Sequence, residues 1–191
     1  FILALFVPSA TARGGALVPI LLGMVAAFGM AKTSKLGALL IITAAQSISI
    51  WNVGIKTAAA QNMVALGFIE EKFGVTISWG EWFLYAAPWS VIMSILLYFI
   101  MLKVIPPETN EIANGQNLVK KQLDELGALT NVEKRLIGIS LLLLFFWSTE
   151  GFVHNIDTTT VTLIAVAVML TPKIGVFDWA QAEKTIPWGT I

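Results

Sequence analysis

The sequence contains no cysteine and a single histidine, His154, and its first 69 residues include neither aspartate nor glutamate. The lack of cysteine excludes disulfides, thiolate metal ligands and thiol nucleophiles. Charged residues make up 13% of the chain, whereas roughly 25% is usual in soluble domains. The twelve basic and twelve acidic side chains cancel, so net charge indicates no general affinity for nucleic acid or anionic lipid.

Hydrophobic residues make up 57% of the chain, which is typical of a membrane protein. The clearest full span is Trp82–Leu102, whose length as a helix is about 31 Å against a hydrocarbon core of about 30 Å. Ala16–Ala31 is short for a crossing, and Leu36–Ile69 is too long for one crossing and too short for two. We therefore predict a re-entrant hairpin arm for the first segment and a transmembrane helix broken near residues 54–62 for the second.

A polar stretch, Pro8–Gly15, lies inside apolar sequence and contains a proline, two hydroxyls, an arginine and a glycine pair. Such residues are poor choices for lipid-facing helix, so we predict that the backbone breaks here and lines a polar cavity. Arg13 and Lys56 lie far from the ends of their apolar segments, where a cation costs at least about 2.5 kcal/mol. An anionic substrate is one candidate partner. The alternative is that Arg13 bonds to exposed hairpin carbonyls and Lys56 snorkels or meets an acid in a part of the protein outside this sequence.

Several local patterns predict how the remaining helices begin. Ser78 with Glu81 and Thr130 with Glu133 match capping boxes, and the charged run Glu70–Lys72 predicts a loop. Residues 108–127 resemble a soluble connector, with an amphipathic helix whose apolar face is formed by three residues. These are Val119, Leu123 and Leu126.

Orientation and the last third of the chain follow from charge and length. Lysine and arginine recur on one side of the predicted spans, which places that side in the cytoplasm. Short helices are expected at Thr158–Leu170 and Asp178–Lys184. We expect a surface role for His154 in an outer loop and interfacial positions for most tryptophans. The chain starts inside an apolar run without an initiator methionine, and we expect it to be a fragment.

The residues Pro8-Ser9-Ala10-Thr11-Ala12-Arg13-Gly14-Gly15, followed by Pro19-Ile20, resemble a known hairpin signature. The family is the divalent anion/sodium symporters, in its citrate/succinate and 2-oxoglutarate/malate carrier branch, where the usual pattern is Pro-Ser-Asn-Thr-Ala-Arg-Gly-Gly. The similarity covers nearly the whole chain in order. It continues at Gln46, Thr57–Asn62, Ile77–Gly80, Tyr98–Glu108 and Asp157–Val161.

The resemblance implies an all-α integral membrane fold, a dimeric inverted-repeat transporter in which hairpins and broken helices meet at mid-membrane. Residues 1–103 would hold the hairpin arm, broken helix and last span of repeat one, 104–131 a cytoplasmic connector, and 132–191 the first two spans of a truncated repeat two. The substrate ligands that the resemblance implies are Ser9, Thr11, Thr57 and Asn62. The two cations far from the segment ends, Arg13 and Lys56, are predicted to join them. The implied Na⁺ ligands are Ser9, Ala10 and Ala58.

Two positions depart from the branch. Ala10 replaces an asparagine whose amide contacts ion and substrate in the family, and Lys56 stands where the branch usually has an apolar residue. We hypothesise that the Lys56 ammonium takes over part of the charge neutralisation given by Na⁺, which would favour exchange of dicarboxylates over sodium-driven uptake.

The sequence thus predicts a secondary transporter of di- or tricarboxylates, of the succinate, malate, citrate or 2-oxoglutarate type. It would work by Na⁺ symport or dicarboxylate exchange with alternating access, as a homodimer in a bacterial inner membrane or an organelle inner envelope. We expect no enzymatic activity. Two alternatives stay open: an intramembrane hydrolase with a Ser9/Lys56 dyad, and a passive anion channel.

Overall fold

A computed structural model describes residues 1–31, 33–108, 120 and 123–185. The described residues form helices, with one isolated bridge between Glu150 and His154. A 3-10 turn (Lys56–Ala58) separates the third and fourth helices. In chain order the helices are α1 (Ile2–Phe6), α2 (Ala10–Ala27), α3 (Lys35–Gly54), α4 (Ala60–Phe73), α5 (Trp79–Val104), α6 (Asn131–Thr149), α7 (Thr158–Met169) and α8 (Trp179–Thr185).

Three of these helices, α2, α3 and α5, are long and apolar enough to cross a membrane. No more than 22% of any of these spans is buried within the chain, so most of their apolar side chains face outward, as contact with lipid requires. The chain is therefore an all-helical membrane protein with three candidate spans. Helix α5 contains the predicted span Trp82–Leu102 and extends it at both ends.

The predicted break across Pro8–Gly15 is wrong in its extent, because only Val7–Ser9 is non-helical and α2 already begins at Ala10. Ser9 caps this helix, its Oγ accepting a hydrogen bond from the Ala12 N–H at 3.2 Å. Glycine costs only about 1 kcal/mol in a helix interior, so Gly14 and Gly15 do not prevent the helix from forming. Helix α2, with 18 residues, is consequently long enough to be a candidate membrane span, whereas the predicted arm Ala16–Ala31 was too short for a crossing.

The predicted loop at Glu70–Lys72 is also wrong, since α4 continues through it to Phe73. Glutamate and lysine are good helix formers. The helix ends where Gly74 adopts a left-handed conformation with φ 65°, which glycine accepts without steric cost. Both predicted capping boxes, at Ser78/Glu81 and Thr130/Glu133, are confirmed.

The chain divides into two compact units, residues 1–127 and 128–191. In the first unit α3 packs against α2 and α5. The N-terminus of α3 receives a cap from far along the chain. Glu108 accepts hydrogen bonds from the N–H groups of Lys35 at 2.6 Å and Leu36 at 3.0 Å. The Lys35 N–H bond is the main reason that the pKa of Glu108 lies below its usual value.

The predicted connector falls largely outside the described residues, Val119 included. Residues 123–126 are helical, and Leu123 and Leu126 on this segment are exposed.

In the second unit α6 packs against α7 around the buried ring of Trp147, whose Nε1 donates to Thr162 Oγ1 at 3.3 Å. His154 is half-buried rather than a surface residue. Its Nε2 lies 2.9 Å from the Phe146 carbonyl and 3.2 Å from Thr149 Oγ1. A polar ring that leaves water needs such partners, so His154 joins the end of α6 to the turn that follows it.

Candidate functional site

Arg13 is the centre of the polar structure in the first unit, with only 2% of its surface exposed. Its Nε lies 3.3 Å from the Ser9 carbonyl, and its Nη2 donates to the Asn52 side-chain oxygen and, at 3.0 Å, to the Ala58 carbonyl. Nη1 is buried and has no hydrogen-bond partner among the described residues. Arg13 thus bonds to the carbonyl of Ser9, just before α2, and to that of Ala58 in the 3-10 turn.

Asn62 satisfies the carbonyls that the end of α3 leaves open. Its Nδ2 lies 2.6 Å from the Asn52 carbonyl, 3.0 Å from that of Ile55 and 3.2 Å from that of Lys56. Backbone carbonyls at a helix end have no partner within the helix and need one when buried. One amide group therefore contacts three carbonyls around the interruption between α3 and α4.

Helix α5 supports the same interruption from another direction. Trp82 Nε1 donates to the Val53 carbonyl at 2.9 Å, and Ser90 Oγ donates to the Ile50 carbonyl at 3.0 Å. The two helices meet so closely at Gly54 that a Cβ there would lie 2.6 Å from Ser90 Oγ. Only glycine permits this approach, so the position of the α3 end is fixed by α5.

Two helix N-termini meet at the Arg13 guanidinium. The Ser9 carbonyl immediately precedes α2 and the Ala58 carbonyl closely precedes α4, and Arg13 contacts both. Each N-terminus carries a positive partial charge of roughly half an elementary charge. The residue that caps α4, Ala59, offers no side-chain acceptor to its first N–H groups. This place therefore combines one full positive charge with two partial ones.

Lys56 is buried as well, with 8% of its surface exposed, but its side chain serves a different segment. Its Nζ donates to the Ile77 carbonyl at 2.8 Å, just before α5, and its charge acts on the carboxylate of Glu81. The acid on which Lys56 acts therefore lies within this sequence and not, as the alternative expected, outside it. Glu81 is remote in sequence but not in the fold, and this distinguishes Lys56 from Arg13.

The other predicted ligands occupy several different places. Ser9 is the cap of α2, Ala10 is its first residue, and Thr11 is exposed on its first turn. Thr57 Oγ1 accepts a hydrogen bond from Trp79 Nε1 at 3.2 Å, and the Ala58 carbonyl accepts one from Arg13. The structure brings Ser9, Arg13, Ala58 and Asn62 into one hydrogen-bonded group. Asn52 joins them and was missed, because nothing in its local sequence shows that its side chain meets residue 13.

One further expectation needs correction, and one finding adds to it. Trp79 is buried against Phe83, with ring centroids 5.3 Å apart. Arg13 does line a cavity of about 430 Å³, but apolar side chains such as Leu17, Ile48 and Trp51 form most of its wall. The cavity beside the hairpin motif is therefore mainly apolar and not polar.

Comparison with known proteins identifies the class. The sequence model of the sodium:sulfate symporter transmembrane region matches residues 1–191. A Cupriavidus necator protein described as a membrane protein is 47% identical over 189 residues, which cover 99% of this chain and 37% of the relative. The Escherichia coli citrate/succinate antiporter is 31% identical over 196 residues, covering 100% of this chain and 39% of the relative. A chloroplastic dicarboxylate transporter, 2.1, of Arabidopsis thaliana is 31% identical over 193 residues, covering 96% and 33%.

The chain thus belongs to a family of membrane transporters and not to an enzyme family. It belongs to the sodium:sulfate symporter family, and the resemblance seen in Pro8–Gly15 is confirmed. It spans between 33% and 39% of the length of the three relatives described above. Membership of a transporter family leaves no support for the Ser9/Lys56 hydrolase alternative, since Lys56 bonds to Ile77 and Ser9 caps a helix.

Proposed function

We propose that the protein containing this chain carries di- or tricarboxylates across a bacterial inner membrane or an organelle inner envelope. The observation that supports this most directly is the meeting of two helix N-termini at Arg13 in a region without a single acidic residue from 1 to 69. Positive helix ends and a buried guanidinium favour carboxylate groups. The antiporter and the chloroplast transporter named above, whose names refer to citrate, succinate and dicarboxylates, agree with this substrate class.

We further propose an arrangement for the elements around this site. Helices α1 and α2 would be the arms of a re-entrant hairpin with Val7–Ser9 at its tip, and α3 and α4 the halves of one broken transmembrane helix. The Arg13 guanidinium bonds to non-helical backbone in both elements, at the Ser9 carbonyl and at the Ala58 carbonyl. Membrane proteins tolerate non-helical backbone where it is buried within protein. A homodimer of inverted repeats, working by alternating access, completes this proposal.

Exchange is the coupling mode that the contacts favour over Na⁺ symport. The carbonyls at the α3–α4 interruption, which would be ligands for Na⁺, already accept hydrogen bonds from Asn62 and, at Ala58, from a cation. Ala10 has no side-chain oxygen to offer an ion. Lys56 belongs to the same turn and its ammonium is buried, but it bonds to the Ile77 carbonyl and acts on Glu81, so it contributes less positive charge here than Arg13 does. Together these features would replace part of the charge that a bound Na⁺ supplies.

Transport by the full-length protein in proteoliposomes tests both proposals. Uptake of labelled succinate, citrate, malate and 2-oxoglutarate is measured with and without Na⁺, and with or without internal succinate. We expect saturable uptake of at least one of them, accelerated by internal succinate and independent of Na⁺. Uptake of sulfate without any carboxylate would overturn the substrate class. Strict Na⁺ dependence in both wild type and Lys56→Ala would overturn exchange, and unsaturable current would favour a channel.

A further inference from the structure

Every acceptor that Arg13 contacts among the described residues is electrically neutral. Two are the carbonyls of Ser9 and Ala58, and the third is the side-chain oxygen of Asn52. A buried arginine is more often paired with a carboxylate, which cancels its charge. Here the guanidinium is held in place by hydrogen bonds while its positive charge is not neutralised.

The backbone of Asn52 is also hydrogen-bonded. Its carbonyl accepts the shortest of the three Asn62 hydrogen bonds, at 2.6 Å, and its side-chain oxygen meets Arg13. The residue therefore links the group that supports the α3–α4 interruption to the group that joins the two helix N-termini. A displacement of Asn52 would move both.

We propose that Asn52 is a positioning residue that orients Arg13 through a neutral oxygen, so that the full positive charge of Arg13 remains available to a bound anion. This inference rests on the proposed function in that it takes the site at Arg13 to be the anion site. It assigns to Asn52 two separable effects, one on the geometry of Arg13 and one on the net charge of the site. An aspartate at position 52 would preserve the geometry of Arg13 and remove the net positive charge of the site.

The test uses the full-length protein in proteoliposomes and two substrates that differ in charge, succinate and its monoamide succinamate. In Asn52→Asp, the added charge opposes the anion in proportion to the charge of the anion. We expect KM to rise about tenfold for succinate and about threefold for succinamate, the square root of that factor, with kcat changed less than about twofold. Asn155→Asp, on an exposed residue of the other unit, adds the same charge elsewhere and should leave both KM values unchanged.

A second variant separates charge from geometry. Asn52→Leu removes the acceptor without adding charge, so we expect kcat to fall by the same factor for both substrates and KM to show no dependence on substrate charge. Equal changes in KM for succinate and succinamate in Asn52→Asp would overturn the inference and leave Asn52 a purely structural residue. If wild type transports neither compound, the proposed substrate class fails on its own. The same charge comparison with sulfate and methyl sulfate then decides the role of Asn52.

Discussion

Helix ends leave backbone groups that need hydrogen-bond partners. The α3–α4 interruption and the α6–α7 turn obtain these partners from different parts of the chain. In the α6–α7 turn the partners are near in sequence. Asp157 caps α7 by accepting from the Thr160 N–H, and Glu150 accepts from the Thr158 N–H. In the α3–α4 interruption the key partner, Arg13, comes from 45 residues away. The α6–α7 turn carries acids and a histidine, whereas the α3–α4 interruption carries Lys56 and contacts Arg13.

This difference separates a turn that only connects from one that is available for function. Local caps neutralise a helix N-terminus, since a carboxylate such as Asp157 opposes the positive helix end. The pKa of Asp157 lies below its usual value, chiefly because of the Thr160 hydroxyl that donates to it. The N-terminus of α4 has no such acid, and its positive end stays available to an anion.

The largest effect that tests this comparison is expected for Asn62→Leu. Three carbonyls, those of Asn52, Ile55 and Lys56, would lose their side-chain donor. Leaving buried polar groups unpaired costs roughly 1–3 kcal/mol each, so we expect a loss of about 3 kcal/mol in stability. The measurement is the thermal unfolding midpoint of the purified full-length protein. Asn155→Leu, in the α6–α7 turn, should change stability by less than about 0.5 kcal/mol, and equal losses in both variants would remove the distinction.

Gly54→Ala should have an intermediate effect on stability and transport. The new Cβ would lie 2.6 Å from Ser90 Oγ and 2.9 Å from Ser90 Cβ, which forces α3 and α5 apart at an estimated cost of about 1–3 kcal/mol. Gly67→Ala is the matched control, because nothing lies within 4 Å of that position and alanine is the better helix former. Ser90→Gly combined with Gly54→Ala should recover part of the unfolding midpoint, because it removes the clash but also the Ser90 bond to the Ile50 carbonyl. A Gly54→Ala protein as stable as Gly67→Ala would show that the close approach is not required.

The smallest effect concerns the distant cap of α3 and its dependence on pH. Because the folded-state pKa of Glu108 is lowered, its stabilising contribution is present above the unfolded pKa and is lost as pH falls through the lowered folded value. Glu108→Gln should therefore reduce stability near neutral pH and have less effect in acid. The readout is the unfolding midpoint as a function of pH. Asp124→Asn, whose side chain is exposed, should follow wild type at each pH, and a Glu108→Gln curve parallel to wild type would contradict the cap.

The features that were predictable from sequence are those set by neighbouring residues. Both capping boxes depend on residues three positions apart, and the interruption after Gly54 follows from the length of an apolar segment that fits neither one crossing nor two. The errors arose where a distant contact overrides a local preference. Arg13 and two glycines resemble a helix break, yet α2 passes through them, because the Arg13 N–H groups find acceptors on Asn52 and Ala58. Glu81 reaches Lys56 only in the folded chain.

The Glu108 cap also has a consequence for the order in which the protein is made. The first two N–H groups of α3 are bonded by a carboxylate that lies 73 and 72 residues further along the chain. Residue 108 is synthesised only after α5, so the carboxylate that caps the first turn of α3 does not yet exist when α3 itself has been made.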